Sequence, residues 1–370
     1  MFAIDLLWVR YGEIGGGVAV VLNLLDGLVS LKERYNVYLI VTRDNRNLFL
    51  KYFDDDRFHE ITVNINSLNR KETIIYQNIH LSSLLKKNGI CICLEPDNYI
   101  PMIRRGNVKY VTIIHDLQSM HYPENFTILK KTWLKLNWKN AFKYSRKIIA
   151  ISQFTKNDIL SFFNVKCPIH VIYNPIEINT DEIADFDILA KKYGIEKKEY
   201  YYTVSSMDAN KNLITLLRTM KVLKNKGMNK KLVISGVGSS KKVGHFNSIV
   251  KEMGLVDDII VTGFVCNAER NALYQNCELF LFPSIYEGFG MPPLEASILG
   301  AKVLTTRLSS IPEITQNAVN YVNDAFNAEE WVEKIIHSEK MKKSKIDLLQ
   351  YDKIVVAKQY IDIVESLYTK

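Results

Sequence analysis

Residues 279–295 read Leu279-Phe280-Leu281-Phe282-Pro283-Ser284-Ile285-Tyr286-Glu287-Gly288-Phe289-Gly290-Met291-Pro292-Pro293-Leu294-Glu295. Four consecutive apolar residues predict a strand buried on both faces, as in a parallel sheet. Pro292 and Pro293 suit the first turn of a helix, where missing N–H groups do little harm. Between strand and helix, Gly288 and Gly290 let a ligand come close to the backbone. Glu287 falls in that loop and Glu295 in the first helical turn. Ionised carboxylates only accept hydrogen bonds, so each acid can hold one diol. The structural alternatives are an exposed loop acid at Glu287 and an acid complementing the helix dipole at Glu295.

Working outward, the same strand–loop–helix grammar runs through the chain. Strands are expected at 2–9, 36–42, 60–64, 90–94, 109–114, 147–151 and 169–172, with helices near 17–31, 73–87, 126–144 and 154–163. The pattern restarts with strands at 200–205, 231–235, 259–262, 278–282, 302–305 and 319–322. Helices follow near 212–226, 241–253, 268–275, 292–299, 327–338 and 353–368. Such alternation means α/β architecture, parallel sheets with helices on both faces. A length of 370 residues fits two domains. The seam is expected near Tyr173-Asn174-Pro175, giving domains 1–173 and 174–350, with a helix over 351–370 able to cross back to the first. In open α/β sheets ligands sit beyond the carboxyl ends of strands. Two such domains facing each other would share a cleft.

Three further places carry chemistry. Gly15-Gly16-Gly17 follows the first strand and opens the first helix, where a phosphate is favoured; a tight turn would use the same glycines. Lys211, in Met207-Asp208-Ala209-Asn210-Lys211-Asn212-Leu213, follows a strand and is placed to neutralise a diphosphate, or to be solvated on a turn. His115-Asp116 follows Val111-Thr112-Ile113-Ile114, where the pair can hydrogen-bond a sugar hydroxyl or simply cap the next element. Neither GxGxxG nor GxxxxGK[ST] occurs, which argues against a dinucleotide oxidoreductase and a P-loop enzyme.

Composition narrows the class. Residues 1–174 carry 23 basic and 15 acidic side chains, and the remainder 25 of each, so the whole net charge of +8 lies in the first half. That asymmetry points to an anionic partner or to a solvated surface. No nucleic-acid-binding motif accompanies it. The five cysteines (91, 93, 167, 266, 277) form no CxxC and no zinc spacing, and read as free thiols of a reducing cytosol. MFAIDLLWVR lacks the basic start of a signal peptide, and no apolar stretch is long enough for a membrane span.

Taken together, Glu287 and Glu295 resemble the E-x7-E signature of the family-4 retaining glycosyltransferases, which have the GT-B fold: two facing Rossmann-like domains with a cleft between them. The resemblance covers nearly the whole chain. Gly15-Gly16-Gly17 resembles the family's N-terminal glycine loop, and Ile114-His115-Asp116-Leu117 its first-domain His motif. Ile151-Ser152-Gln153-Phe154-Thr155 and Val171-Ile172-Tyr173-Asn174-Pro175 resemble the entry to the second domain. Lys211-Asn212-Leu213 resembles the phosphate-binding Lys-Asn-Leu, and Gly263-Phe264-Val265 the loop that holds the base through backbone atoms.

The resemblance implies roles. Glu295 would hold the ribose and Glu287 the donor sugar, beside Gly288 and the Phe289 and Gly290 amides. Lys211 and the glycine loop would neutralise the diphosphate, Val265 would lie at the base, and His115 with Asp116 would line the reaction centre. The reaction would move a hexose from a nucleoside-diphosphate sugar to a glycan hydroxyl with retention, without metal or cofactor. Family members usually carry an arginine near the phosphate lysine. Here Ser206 and Asn210 stand there, and Arg10 is the expected substitute. A sugar-nucleotide epimerase of this fold and a non-catalytic sugar-nucleotide-binding homologue are the alternatives.

The acceptor side is read from 129–147, LKKTWLKLNWKNAFKYSRK, which contains no acid. Lys131, Lys135, Lys139 and Lys143 form one helical stripe, beside Leu134, Trp138, Ala141 and Phe142. This pattern suits an anionic membrane surface, or an apolar stripe packed inward under solvated lysines. The membrane reading implies a peripheral protein at the inner face of the cytoplasmic membrane and an acceptor carried on polyprenyl diphosphate, as in O-antigen or capsule assembly.

Overall fold

The structure, a computed structural model, describes residues 1–12, 15–236 and 238–368. It divides into two compact units, Met1–Glu177 with Leu348–Lys370, and Ile178–Asp347.

The first unit is built on strands β1 (Phe2–Asp5), β2 (Val37–Thr42), β3 (Phe58–Val63), β4 (Ile92–Glu95), β5 (Lys109–Ile114), β6 (Lys147–Ala150) and β7 (Ile169–Val171). They form one parallel sheet in the order β3-β2-β1-β4-β5-β6-β7. The order reverses direction between β1 and β4, the switch point at which such sheets place ligands. The helix expected over 73–87 starts earlier, at Arg70, where the Asn69 side chain caps the Glu72 amide. It is interrupted by a π-helical turn, Tyr76–His80, before resuming as Leu81–Lys87. Such turns recur at functional sites.

Helix Lys353–Glu365 packs on helix Gly16–Ser30. A Cβ at Gly27 would stand 2.2 Å from the Lys353 carbonyl oxygen, so only glycine permits this approach. The chain leaves the first unit after Glu177 rather than at Tyr173. Pro175 accepts a hydrogen bond from Asn23, Ile176 donates to the Tyr351 carbonyl, and Glu177 pairs with Lys353 at 2.5 Å.

The second unit contains β8 (Tyr200–Val204), β9 (Lys231–Ser235), β10 (Ile259–Gly263), β11 (Leu279–Phe282), β12 (Val303–Thr306) and β13 (Asn320–Val322), again all parallel, in the order β10-β9-β8-β11-β12-β13. Its switch point lies between β8 and β11. Tyr200 and Tyr202 pack into one apolar layer and Tyr201 into the other, the period-two alternation of a sheet covered on both faces. A helix the sequence reading omitted, Phe186–Tyr193, precedes β8. It is capped by Asp185 and ended by left-handed Gly194.

Candidate active site

In the second unit, the loops after β8 and β11 carry Lys211 and Glu287 to the switch point, with Lys211 Nζ 2.6 Å from Glu287 Oε1. The loops are stitched together. Asn210 Nδ2 donates to the Tyr286 carbonyl, and the Asn210 carbonyl accepts from the Ile285 amide and the Ser284 hydroxyl. Ser310 Oγ donates to the carbonyls of Glu287 and Phe289, and the Glu287 amide donates to Ser309 Oγ. Gly290, at φ +85°, is the left-handed turn that launches helix Met291–Ile298. Gly288 and Phe289 are buried in the same loop.

Glu295 is 6% exposed on that helix. It accepts from the Tyr274 hydroxyl (3.0 Å) and stands 3.6 Å from Arg270 Nη2. Burial acts to lower the Arg270 pKa, but the Glu295 charge together with Tyr274 and Tyr202 outweighs it and raises the guanidinium above its ordinary value; burial pushes the Tyr274 phenol well up. Sequence reading missed Arg270 and Tyr274. Their spacing on helix Asn267–Asn276 is the only trace they leave. Val265 lies between β10 and that helix, nearly buried beside exposed Phe264.

Neither Ser206 nor Asn210 could carry the second cation. Ser206 Oγ donates to Asp208, and Asn210 is buried under the loop. A second lysine, Lys242, is ion-paired with Asp208, whose carboxylate also feels the charge of Lys211. Burial raises the Asp208 pKa, but hydrogen bonds from Lys242 and Ser206, with the charges of Lys242 and Lys211, hold it below the ordinary carboxylate value. Lys242 follows β9 at the start of helix Ser240–Glu252, whose cap is Ser239. A serine cap, Ser239, before two lysines was the available signal.

The remaining candidates belong to the first unit. Gly15 caps helix Gly16–Ser30 with ordinary extended dihedrals, and a Cβ on Gly15 or Gly16 would meet nothing within 4 Å. The fold itself therefore does not demand these glycines. Gly15, Gly17, Arg10 and Asp116 line a cavity of about 620 Å³. Asp116 Oδ1 caps the Gln118 amide. His115 donates from Nε2 to the Pro96 carbonyl (2.6 Å), and its amide donates to Asn98 Oδ1. His115 is thus locked to the loop after β4, a long-range tie the sequence did not reveal.

In helix Ile128–Tyr144, Trp138, Ala141 and Phe142 are core residues, so this stripe packs inward. The exposed aliphatic residues are instead Ile128, Leu129 and Leu136, 77, 84 and 52% accessible. Among the described residues, no helix is long and apolar enough to cross a membrane.

Residues 14–180 match the family model Glycosyltransferase Family 4, and residues 185–353 match Glycosyl transferases group 1. The O-antigen chain mannosyltransferase RfbU of Salmonella typhimurium is 26% identical over 244 residues, 66% of this chain and 64% of that protein. The O-antigen chain mannosyltransferase B of Escherichia coli is 25% identical over 229 residues, 60% of this chain and 58% of its own length. The match thus spans less than two thirds of either relative. Among solved structures, Anabaena Alr3699/HepE in complex with UDP and glucose superposes with TM-score 0.72 at 16% identity, covering 99% of this chain and all of that one. WaaG, a glycosyltransferase involved in lipopolysaccharide biosynthesis, gives 0.67 at 15% identity over 98% of this chain and 95% of its own. With both units matched by glycosyltransferase models and the two-sheet architecture shared with these structures, the chain belongs to the family-4 glycosyltransferases of the GT-B fold.

Proposed function

We propose that this chain transfers a hexose, with retention, from a nucleoside-diphosphate sugar to a hydroxyl of a growing surface glycan. The observation that carries the reading is the Lys211–Glu287 pair at the switch point, on the same sheet edge as buried Glu295. In a sugar nucleotide, the sugar and the diphosphate are joined through one anomeric C–O bond. A cation and an acid 2.6 Å apart can therefore serve neighbouring groups, Lys211 the phosphate oxygens and Glu287 the sugar hydroxyls. As that C–O bond breaks, charge collects on the departing diphosphate, and a lysine already in place stabilises it more in the transition state than in the ground state. Lys242 adds a second positive group in the first turn of helix Ser240–Glu252. Glu295, aimed by Tyr274 and Arg270, holds the ribose. The named relatives transfer mannose, so a nucleoside-diphosphate mannose is the first donor to try.

The acceptor reading is peripheral and lipid-linked. Lys135, Lys139 and Lys143 are exposed on helix Ile128–Tyr144, and Ile128, Leu129 and Leu136 replace the inward-facing tryptophan as the apolar contact with an anionic membrane surface. A thermal-shift panel of GDP, UDP, TDP and their sugars tests the donor reading. A ligand at 100 times its Kd stabilises the folded state by about 2.7 kcal/mol. Incubation of the responding labelled donor with glycan then separates transfer from epimerisation and from binding alone. A protein that no nucleotide in the panel stabilises would refute the proposal.

A further inference from the structure

Helix Asn267–Asn276 carries Arg270 and Tyr274 four residues apart, so both side chains leave the same face. Other residues pin this helix in place. Asn271, 3% exposed, donates from Nδ2 to the carbonyls of Asn179 and Glu182. The Ala184 amide donates to the Ala268 carbonyl, and Glu269 pairs with Lys192 at 3.0 Å. The fold therefore holds Arg270 against Glu295 whatever their own attraction contributes.

The polar groups that meet there are incomplete. Among the described residues, Tyr274 makes the one hydrogen bond to the Glu295 carboxylate, at Oε2. Oε1 stands 3.6 Å from Arg270 Nη2, too far for a charge-assisted hydrogen bond, which closes at about 2.7–2.9 Å. Arg270 Nε is buried with no partner. A buried donor left unpaired on a charged group is costly and rare. An arginine serving stability alone would close on the carboxylate as a forked pair. Instead an acceptor oxygen and a set of donors face each other with neither engaged. The Arg270 side chain is 28% exposed, so a ligand can reach the guanidinium. A phosphate oxygen would satisfy the guanidinium but would be repelled by the carboxylate 3.6 Å from it. A hydroxyl donates to the one and accepts from the other.

We infer that Arg270 holds one hydroxyl of the ribose 2′,3′-diol directly, donating to the same oxygen whose O–H is accepted by Glu295 Oε1, and so sets the preference for ribose over a sugar lacking that hydroxyl. The inference rests on the reading of Glu295 as the ribose acid and adds a second contact to it. Glu295 alone recognises any hydroxyl that can donate. With Arg270 beside it, the hydroxyl must also turn its lone pairs to a fixed donor. A deoxy sugar then leaves two charged groups unpaired instead of one.

Calorimetry on the full chain with GDP and UDP, each beside its 2′-deoxy and 3′-deoxy forms, tests this. Wild type should bind at least one deoxy form about tenfold or more weaker than its parent. Arg270→Leu should weaken the parent about tenfold while moving that deoxy form by less than about threefold, so that the two affinities converge. Arg270→Lys keeps a charge beside Glu295 but lacks the fork, and should lose most of the preference as well. Should Arg270→Leu fail to fold, the ratio in Arg270→Lys decides. An arginine that only braces Glu295 would weaken parent and deoxy forms by one common factor. That result overturns the inference, as does equal binding of parent and both deoxy forms by wild type. If either occurs while Glu295→Ala still loses nucleotide affinity, the ribose reading stands and only the Arg270 contact falls. If wild type binds neither GDP nor UDP nor any deoxy form, both fall together.

Discussion

Replacing Glu295 by alanine should damage both nucleotide affinity and fold, by separable amounts. The carboxylate is buried, and its loss leaves the enclosed Tyr274 hydroxyl without its acceptor. An unsatisfied buried hydroxyl costs about 1–3 kcal/mol. Arg270, 28% exposed along its side chain, adds less because water reaches it. A loss near 2 kcal/mol lowers Tm by roughly 4–8 °C in a unit of this size. The missing charge-assisted hydrogen bond to ribose costs about 1.5–3 kcal/mol more in binding, or about 10–150-fold in Kd. Glu295→Gln keeps an acceptor for Tyr274, so it should recover most of the stability and little of the affinity. Urea denaturation reads the first quantity and calorimetry with the responding nucleoside diphosphate the second. Wild-type affinity in Glu295→Ala would refute the ribose assignment. Wild-type stability in that variant would refute the account of Tyr274 and Arg270.

Lys211→Ala should reduce turnover far more than donor affinity, and unchanged turnover with the best donor would contradict a role for Lys211 at the phosphate. Asn210→Arg should unfold the β8–β11 loops rather than supply a cation, because Asn210 is buried and bonded to Tyr286; circular dichroism and denaturation will show whether it folds. Asp5 and Asp97 have folded pKa values raised from 3.8 to about 6. Their contribution to stability is therefore complete below about pH 3.8 and lost as pH rises through 6, by at most about 3 kcal/mol for one group. Asp97→Asn should flatten that loss between about pH 4 and 6.5 and be more stable than wild type at the upper end; the same slope in both proteins would rule this out. Lys135, Lys139 and Lys143 changed together to Glu should abolish co-sedimentation with anionic vesicles, at about 1 kcal/mol per lysine, without altering nucleotide affinity. A wild type that ignores such vesicles at low salt ends the membrane reading.

The alternation of apolar runs and amphipathic stretches makes both sheets legible because their central strands are buried on both faces, and LFLF at 279–282 is the plainest case. Glu287, Glu295 and Lys211 are legible because strand, loop and helix start are contiguous in sequence. The acids of the first unit are not. Asp5 and Glu95 lie far apart in the chain and become neighbours only when β4 pairs with β1. The π-helical turn at Tyr76–His80 leaves no periodicity to read, since it breaks the very period a helix is recognised by. Trp138 shows the opposite failure. A stripe beside lysines reads equally as a surface or as a core, and only packing decides between them.

The contact at Gly27 also sets an order of assembly. The segment that fills the groove there is synthesised after the whole of residues 178–347, a delay of roughly 10–35 s at usual translation rates. During that interval the first sheet has its strands but lacks one of its covering helices, and the apolar face of helix Gly16–Ser30 awaits its partner. The second unit, continuous in sequence, can close by itself in the meantime. A lesion near Lys353 or Ala357 would therefore act as a defect of the N-terminal domain, showing itself as slow maturation and chaperone dependence.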